Sequence, residues 1–239
     1  CSSGYGLASR IALSFGSNTD TLGVYFDRAP SEKRSAGAGW YNNQHLEQRA
    51  AQQGLAAHSL NLDAFQPGAK AEVIQKLKAT IGQVDLVIYS LASPRRYIAD
   101  EDKWYNSVLK PVGQAFHGKT IDTDKGLIKP IDIEAASQDE IDATIKVMGG
   151  EDWQLWIDAL NDAKLLSPEF KTIAYTYIGD EITWPIYGEA TIGHAKKDLD
   201  RTAAHINRQL DSINGQAHIG VLKAIVTQSS AAIPVMPLY

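Results

Sequence analysis

Short apolar segments alternate with segments of helical periodicity through the first third of this 239-residue chain. Residues 21–27, 58–62 and 84–92 have the length and composition of buried strands, and helical spacing separates them at residues 40–53 and 68–81. Strands that alternate with helices at this pitch form βαβ units, whose strands lie parallel. We therefore predict an α/β fold with a doubly wound parallel sheet.

This regularity breaks between residues 95 and 133, where Pro and Gly turns separate short alternating pieces. We predict an inserted hairpin or lid region over about residues 95–150. Because the chain contains no internal repeat or linker, residues 1–239 are expected to form a single domain. The later predicted elements are helices at 151–165 and 191–210 and strands at 171–178 and 218–227.

Both ends of the chain suggest a fragment. Residues 1–6 form a glycine turn that leads directly into an apolar-periodic segment, and such turns normally follow a buried strand. Residues 231–239 end without a helix cap or a polar tail. We expect the chain to lack the first strand of its sheet and a C-terminal part.

The charge and cysteine content narrow the classes of partner. Acidic residues outnumber basic ones by 28 to 23, so no basic field favours a nucleic-acid backbone. A single Cys permits no intrachain disulfide, which favours a reducing compartment. No window is apolar over the roughly 20 residues of a membrane span, and the six His show no metal-ligand spacing. We expect a cytoplasmic monomer without a metal, a nucleic-acid partner or a membrane span.

The glycine turn is a candidate phosphate site. Backbone N–H groups of residues 3–6 can approach a pyrophosphate at a helix N-terminus, although glycines also close many turns that bind no ligand. Asp27 ends the next strand, where a carboxylate accepts hydrogen bonds from an adenosine ribose and repels a 2′-phosphate. Arg28, Lys33 and Arg34 are competing features, since any of them can accept that phosphate. We favour NAD(H) over NADP(H).

Two further strand ends indicate the same ligand, since open parallel sheets bind ligands at the carboxyl ends of their strands. Asp63 and Ala64 are expected to face the adenine, and residues 90–93 the nicotinamide ribose. For Ser90 and Ser93 a turn-capping role is an equal alternative.

Tyr187 and Lys196 form a Tyr-x8-Lys pair, a spacing that also arises by chance. In reductases that pair a phenol with an ammonium, the phenol moves a proton and the ammonium lowers its pKa and holds the nicotinamide ribose. On one continuous helix, nine residues turn through about 900° and rise roughly 13–14 Å, which places the two side chains on opposite faces. Pro185, Gly188 and a candidate N-cap at Thr191 predict a helix that begins after Tyr187.

Six segments together carry a resemblance to a known family: residues 1–10, 39–42, 89–94, 147–153, 177–179 and 191–196. They resemble the FabV-type enoyl-acyl-carrier-protein (enoyl-ACP) reductases and the related trans-2-enoyl-CoA reductases, which have a Rossmann-like fold of the short-chain dehydrogenase/reductase superfamily. The resemblance covers essentially the whole chain. It implies NADH-dependent reduction of the trans-2 double bond of an enoyl-ACP or enoyl-CoA thioester in fatty acid biosynthesis.

The resemblance also implies roles for individual residues. Tyr187 matches the family's proton donor, Lys196 its cofactor-binding lysine and Tyr177 a tyrosine assigned to the substrate. Asp27 stands where the family leads us to expect Glu, and this shorter acid keeps the charge. The family's NAD-contacting segments fall on Cys1, Ser2, Ser3, Gly4, Tyr5, Phe26, Asp27, Asp63, Ala64, Leu91, Ala92, Lys196, Ile225, Val226 and Thr227.

Two other functions stay open at the level of sequence. A short-chain-type carbonyl reductase or dehydrogenase is disfavoured because the chain has no Tyr-x3-Lys pair. A non-catalytic dinucleotide-binding module is disfavoured by the joint presence of Tyr177, Tyr187 and Lys196. Of the adjacent Lys196 and Lys197, helical geometry directs one to solvent.

Overall fold

The first apolar segments form strands in the computed structural model, which describes residues 2–122 and 125–225. The described residues group into two units. Unit 1 comprises residues 2–90, Leu155–Ile173 and Leu210–Gln216, and unit 2 comprises the described residues of Leu91–Gln154, Ala174–Gln209 and residues 217–225. The expected single domain over residues 1–239 stays a prediction.

Unit 1 begins with alternating helices and strands, as the sequence predicts. The strands β1 and β2 pair in parallel, with Thr21 opposite Ala57 and Tyr25 opposite Asn61. This pairing confirms an α/β class with parallel strands. The elements are α1 (Gly4–Ile11), which continues into a π-helical turn (Ala12–Gly16), β1 (Thr21–Tyr25), α2 (Ala38–Gln52), β2 (Ala57–Asn61), α3 (Ala69–Thr80) and β3 (Val84–Tyr89).

The helices of unit 1 bury apolar side chains at helical spacing. Leu46 and Ala50 are buried on α2, and Val73 and Leu77 are buried on α3, each pair four residues apart. Side chains at this spacing share one helix face, so each helix turns a single apolar face towards the protein interior.

A buried arginine connects the first helix to both parallel strands. Arg10 is 4% exposed, and its guanidinium donates to the side-chain oxygens of Thr21 (3.2 Å), Asn43 (2.8 Å) and Ser59 (2.8 Å). Burial lowers the pKa of Arg10 to about 10. A Cβ on Gly23 would overlap the guanidinium, so this strand position needs glycine. Arg10 therefore fixes α1 against β1, β2 and α2.

Unit 2 contains two antiparallel hairpins within the predicted insertion. Arg95 pairs with Asn106 in the first hairpin and Phe116 with Ile133 in the second. The role of this region as a lid stays a prediction. The elements that begin in this unit are β4 (Arg95–Ile98), β5 (Lys103–Asn106), β6 (Phe116–Asp122), β7 (Leu127–Ile133), α4 (Gln138–Met148), α5 (Glu151–Asp162) and α6 (Thr191–Leu210).

The turn between α4 and α5 packs against α6. The Gly150 N–H donates to a carboxylate oxygen of Asp198 (2.9 Å), and Arg201 donates to the other oxygen of that carboxylate. A Cβ on Gly150 would overlap the side chain of Thr202. The glycine thus permits the close approach of this turn to the helix that carries Lys196.

The structure corrects the predicted boundaries around the strand after α5. Helix α5 ends at Asp162 rather than at residue 165, and strand β8 spans Leu166–Thr176 rather than residues 171–178. Lys164 adopts a left-handed φ of 57°, and the Leu165 N–H bonds to the Leu160 carbonyl, which closes the helix. In unit 1, β8 lies beside β3.

The last strand is also displaced from its prediction. In unit 2, the end of β8 lies beside β9 (Gln216–Val221), which begins before the predicted residue 218. Its predicted end at Thr227 lies outside the described residues.

Among the helices in the described ranges, none combines the length and the apolar composition that a membrane crossing needs.

Candidate active site

Unit 2 brings together the three residues that the sequence singles out for catalysis. Tyr177 follows β8 directly, Tyr187 follows a 3-10 turn (Glu181–Ile186), and Lys196 lies in the second turn of α6. The Tyr177 and Tyr187 rings stack, with centroids 5.3 Å apart and planes inclined by 14°. The Lys196 Nζ lies 4.9 Å from the Tyr177 centroid and 5.0 Å from the Tyr187 centroid. One ammonium group therefore contacts the π-faces of two phenols.

The chain places these residues together because α6 begins after Tyr187. The helix begins at Thr191, as predicted, so nine residues of continuous helix do not separate Tyr187 from Lys196. The buried Thr191 hydroxyl donates to the Val108 carbonyl. A Cβ on Gly193 would overlap the Gly188 carbonyl oxygen, so the backbone closes tightly between the two site residues.

Lys196 has an unusual environment for a lysine. Burial lowers its pKa to about 8, against an opposing effect of the Asp200 carboxylate. The Nζ donates a hydrogen bond to the Thr176 Oγ1 at 2.6 Å. The two aromatic faces and the hydroxyl oxygen favour the charged form, but the loss of hydration outweighs them.

Tyr187 is 3% exposed and belongs to an apolar cluster. Water is therefore largely excluded from the ring, which strengthens electrostatic interactions at this point. The buried members of the cluster are Ile186, Tyr187, Ala190, Ile192 and Ala195, and Leu109, Phe116, Met148 and Tyr177 pack against it.

In unit 1, the first turn of α1 has the features of a phosphate site. Ser3, Gly4 and Tyr5 are exposed, and no side chain caps the helix at Ser3. Gly4 has a φ of 65°, and a Cβ there would meet no atom within 4 Å. An exposed helix N-terminus without a side-chain cap suits an anion, and the residues present fit the pyrophosphate of a dinucleotide.

The Asp27 carboxylate binds the start of α2. One oxygen accepts the Arg28 N–H (2.7 Å) and the other the Gly39 N–H (2.8 Å) in the first turn of this helix. A Cβ on Gly39 would approach both Asp27 and Ser2 closely, and the Ser2 hydroxyl donates to the Phe26 carbonyl (3.2 Å). The predicted cofactor segments 2–5 and 26–27 therefore meet at the carboxyl end of β1.

The other predicted cofactor residues lie on strand ends or exposed segments. Asp63 follows β2 and accepts the Phe65 N–H (2.9 Å). The remaining residues are Ala64, which is buried, Leu91, which is half-buried, and Ala92, Phe26 and Ile225, which are exposed. Cys1, Val226 and Thr227 lie outside the described residues.

The competing phosphate acceptors lie on the loop between β1 and α2. Arg28, Lys33 and Arg34 are exposed, and the Arg28 Nε donates to the Ser35 carbonyl (3.2 Å). Ser31 and Arg34 bond to each other through their backbones. Hydrogen bonds within the loop hold it together, and its three basic side chains face solvent.

Sequence reasoning missed Thr176, the hydrogen-bond acceptor of Lys196. No spacing rule links a hydroxyl at a strand end to a lysine twenty positions later, and its position next to Tyr177 was the only available signal.

Lys197 is exposed, which agrees with the prediction that one of the adjacent lysines faces solvent. Within residues 2–122 and 125–225, no cluster of His, Cys, Asp and Glu has the composition of a metal site.

The α/β fold of this chain recurs in distant solved structures. A solved enoyl-ACP reductase (NADH) from Aquifex aeolicus shares the fold, with a TM-score of 0.55 and 14% identity over 94% of this chain and 71% of that chain. Two family models are more specific. The model of the trans-2-enoyl-CoA reductase catalytic region matches residues 34–239. The model of the NAD(P)H binding domain of trans-2-enoyl-CoA reductase matches residues 1–32. The chain belongs to the trans-2-enoyl-CoA reductase family.

Individual relatives agree with this assignment. An enoyl-ACP reductase (NADH) of Pseudoalteromonas atlantica is 58% identical over the whole chain and 61% of its own length, and one of Saccharophagus degradans is 53% identical over the whole chain and 60% of its length. The Treponema denticola trans-2-enoyl-CoA reductase, solved in complex with NAD, has a TM-score of 0.93 and 45% identity over 99% of this chain and 59% of that chain. The chain thus spans about 60% of the length of these relatives.

Proposed function

We propose that the protein to which this chain belongs reduces the trans-2 double bond of enoyl thioesters with NADH, in fatty acid biosynthesis. The observation that carries the proposal is the cluster of Tyr177, Tyr187 and Lys196, in which two phenols contact one partly buried ammonium. The names of the relatives support the same reaction and the same cofactor.

The cofactor is proposed to bind the start of α1 and the carboxyl end of β1, together with the other residues that the family resemblance implies. The exposed start of α1 at Ser3 to Tyr5 suits the pyrophosphate, and the Asp27 carboxylate suits the adenosine ribose. Each Asp27 oxygen accepts one backbone N–H and has lone-pair capacity for a ribose hydroxyl. The other proposed contacts are Cys1, Ser2, Phe26, Asp63, Ala64, Leu91, Ala92, Lys196, Ile225, Val226 and Thr227.

The chemistry assigned to this chain concerns the thioester oxygen and one proton. When bound, NADH supplies the hydride that adds to the β-carbon of the enoyl group. Tyr187, with Tyr177 beside it, donates a hydrogen bond to the thioester oxygen, where negative charge develops. Tyr187 delivers a proton that completes the saturated α-carbon, and the Lys196 ammonium favours the phenolate and holds ribose hydroxyls.

The proposed substrate is an acyl thioester of coenzyme A or of acyl-carrier protein. A cytoplasmic monomer that acts without a metal or a nucleic-acid partner is the setting that we propose for this reaction. The carrier would contact the protein outside the buried tyrosine cluster, because the mechanism requires only the enoyl thioester end of the substrate to reach Tyr187.

The test is oxidation of NADH, with NADPH in parallel, by the full-length protein given crotonyl-CoA and a longer trans-2-enoyl thioester. Tyr187→Phe removes the phenol hydroxyl and is expected to reduce kcat by roughly 100-fold or more while NADH still binds. Tyr97→Phe is the matched control, since its phenol bonds to Asp102 in the first hairpin.

Each outcome identifies a function. NADH-specific turnover that Tyr187→Phe abolishes and Tyr97→Phe retains would support the proposal. Undiminished turnover by Tyr187→Phe would contradict it. NADH binding without reduction of any enoyl thioester would favour a carbonyl reductase or a dinucleotide-binding module, which carbonyl substrates would then distinguish.

A further inference from the structure

Lys196 makes one hydrogen bond among the described residues, and its partner lies on a strand. The Nζ donates to the Thr176 Oγ1 at 2.6 Å, and the rings of Tyr177 and Tyr187 lie against the same ammonium. An ammonium has three N–H donors, so this bond leaves two donors for other acceptors. Thr176 thereby determines which way the remaining donors of Lys196 can point.

Thr176 is held more rigidly than the lysine that it binds. It is the last residue of β8, and its backbone carbonyl accepts the Leu222 N–H at 2.7 Å. Its side chain is β-branched, which restricts rotation about χ1. The lysine side chain has four rotatable bonds and a large rotamer entropy. A hydroxyl fixed by the strand can therefore limit the positions that the lysine Nζ visits.

Such an acceptor matters to the ammonium because burial shifts its equilibrium towards the neutral amine. Burial lowers the pKa of Lys196, and the Asp200 carboxylate on α6 opposes this effect. The groups that face the Nζ from other segments are the Tyr177 and Tyr187 rings and the Thr176 hydroxyl. A hydrogen bond to the charged form stabilises that form, so loss of the hydroxyl would favour the neutral amine further.

We propose that Thr176 is a positioning residue for Lys196, which holds the ammonium beside Tyr187 and keeps its other N–H donors available to the cofactor ribose. The part of this inference that concerns the ribose rests on the proposed function. The part that concerns the ammonium rests on the contacts of Thr176 alone.

The experiment measures the titration of Lys196 without a substrate. The full-length protein is acetylated with trace acetic anhydride between pH 6.5 and 10.5, and mass spectrometry with fragment ions follows the labelling of Lys196 separately from that of Lys197. Thr176→Val and Thr176→Ala remove the hydroxyl, and Thr176→Ser retains it. Thr172→Val makes the same chemical change on the same strand, where the hydroxyl donates to the Val87 carbonyl instead.

In the wild-type protein, the midpoint of the Lys196 labelling curve against pH is expected near the Lys196 pKa of about 8. Thr176→Val and Thr176→Ala should lower it by roughly 0.5–1 pH unit, the shift that one hydrogen bond supports. Thr176→Ser and Thr172→Val should leave it unchanged. If a folded variant without the hydroxyl has the same midpoint as the wild type, the proposal is overturned. A shift of equal size in Thr172→Val would overturn it as well.

A second readout addresses the ribose. The KM for NADH of Thr176→Val should rise by roughly threefold to tenfold, with recovery in Thr176→Ser. If the wild-type protein reduces no enoyl thioester, the proposed function fails, but the labelling experiment still decides whether Thr176 holds Lys196. If the enzyme is active and the midpoint does not move, the inference about Thr176 fails alone.

Discussion

The Nζ of Lys196 lies 5.0 Å from the centre of the Tyr187 ring, although the two residues are nine positions apart in sequence. A continuous helix would put them on opposite faces, with a rise of roughly 13–14 Å between them. Their proximity therefore depends on the chain that joins them, where the backbone folds back before α6 begins at Thr191. Substitutions in this connection should affect the site without changing either reactive group.

Gly193→Ala is expected to separate the two residues. The added Cβ would overlap the Gly188 carbonyl oxygen, and a backbone atom cannot rotate away as a side chain can. We expect a loss of roughly 1–3 kcal/mol in the free energy of unfolding, and a larger proportional loss of kcat than of NADH affinity. Urea unfolding and steady-state kinetics measure the two effects.

Gly16→Ala is the matched control for this substitution. A Cβ at Gly16 would meet no atom within 4 Å, and its φ is not left-handed. Its kinetics should match those of wild type. Wild-type kinetics in Gly193→Ala would contradict the tight backbone closure between Tyr187 and Lys196.

The lowered pKa of Lys196 predicts opposite pH trends for cofactor binding and for stability. NADH affinity should fall above a pKa of about 8, by up to about tenfold per pH unit, as the ammonium loses its proton. In the unfolded chain a lysine has a pKa of about 10.4, so between about pH 8 and 10.4 the unfolded state binds more protons and the contribution of Lys196 to stability rises with pH.

Fluorescence titration of NADH across pH 7–9.5 measures the first trend. Lys196→Arg should remove the alkaline fall, since a guanidinium stays charged over this range. An NADH affinity that does not change with pH in the wild-type protein would show that the Lys196 charge does not contribute to cofactor binding.

Asp27→Asn separates two roles of one carboxylate. The amide oxygen can still accept the Gly39 N–H and cap α2, and the exposed Arg28 N–H can bind water in place of the lost oxygen, so stability should change by less than about 1 kcal/mol. The charge that repels a 2′-phosphate is lost, and like charges about 4 Å apart repel by roughly 1–4 kcal/mol. The ratio of kcat/KM for NADPH to that for NADH should therefore rise by roughly tenfold or more.

Asp27→Ala tests the capping role, because it removes both the charge and the acceptor. It should lower the free energy of unfolding by about 1 kcal/mol, which Asp27→Asn should not. Equal stability of these two variants would mean that the bond to Gly39 does not stabilise α2. An unchanged cofactor ratio in Asp27→Asn would assign the discrimination to other residues.

Arg10→Lys should destabilise the protein although it keeps the positive charge. A lysine cannot reproduce the planar set of donors that binds Thr21, Asn43 and Ser59, and acceptors in the interior would lose their partners. We expect a cost of roughly 2–4 kcal/mol, measured by urea unfolding. The same change at the exposed Arg28 should cost less than about 0.5 kcal/mol, and equal costs at both positions would contradict this account.

Periodicity predicted the elements of unit 1 to within a few residues, because each helix there buries one apolar face and glycine marks its ends. The strand β8 was placed late because Ser167, Pro168 and Glu169 have the composition of a turn. Glu169 adopts a left-handed φ of 60° within the strand, whereas Leu166 and Phe170 on either side are buried. Burial in the folded protein thus overrode a local turn preference that the sequence expresses clearly.

The site was predictable to the extent that spacing constrains geometry. The nine-residue interval excluded a shared helix only if Tyr187 and Lys196 act together, and the structure confirms the predicted start of α6 at Thr191. The Asp27 carboxylate was predicted for a ligand, but its bonds to α2 were not, since they depend on a loop that returns to the strand end. Thr176 was missed for the same reason, because its contact with Lys196 depends on how β8 and α6 pack.

The close approach of Gly193 to Gly188 has a consequence for insertions and deletions. One residue more or fewer within α6 between residues 191 and 195 would rotate the lysine by about 100° around the helix and remove it from the tyrosine rings. This interval should therefore accept no change of length. In a comparison of relatives, an alignment gap here would indicate a changed reaction more reliably than substitutions at the neighbouring positions.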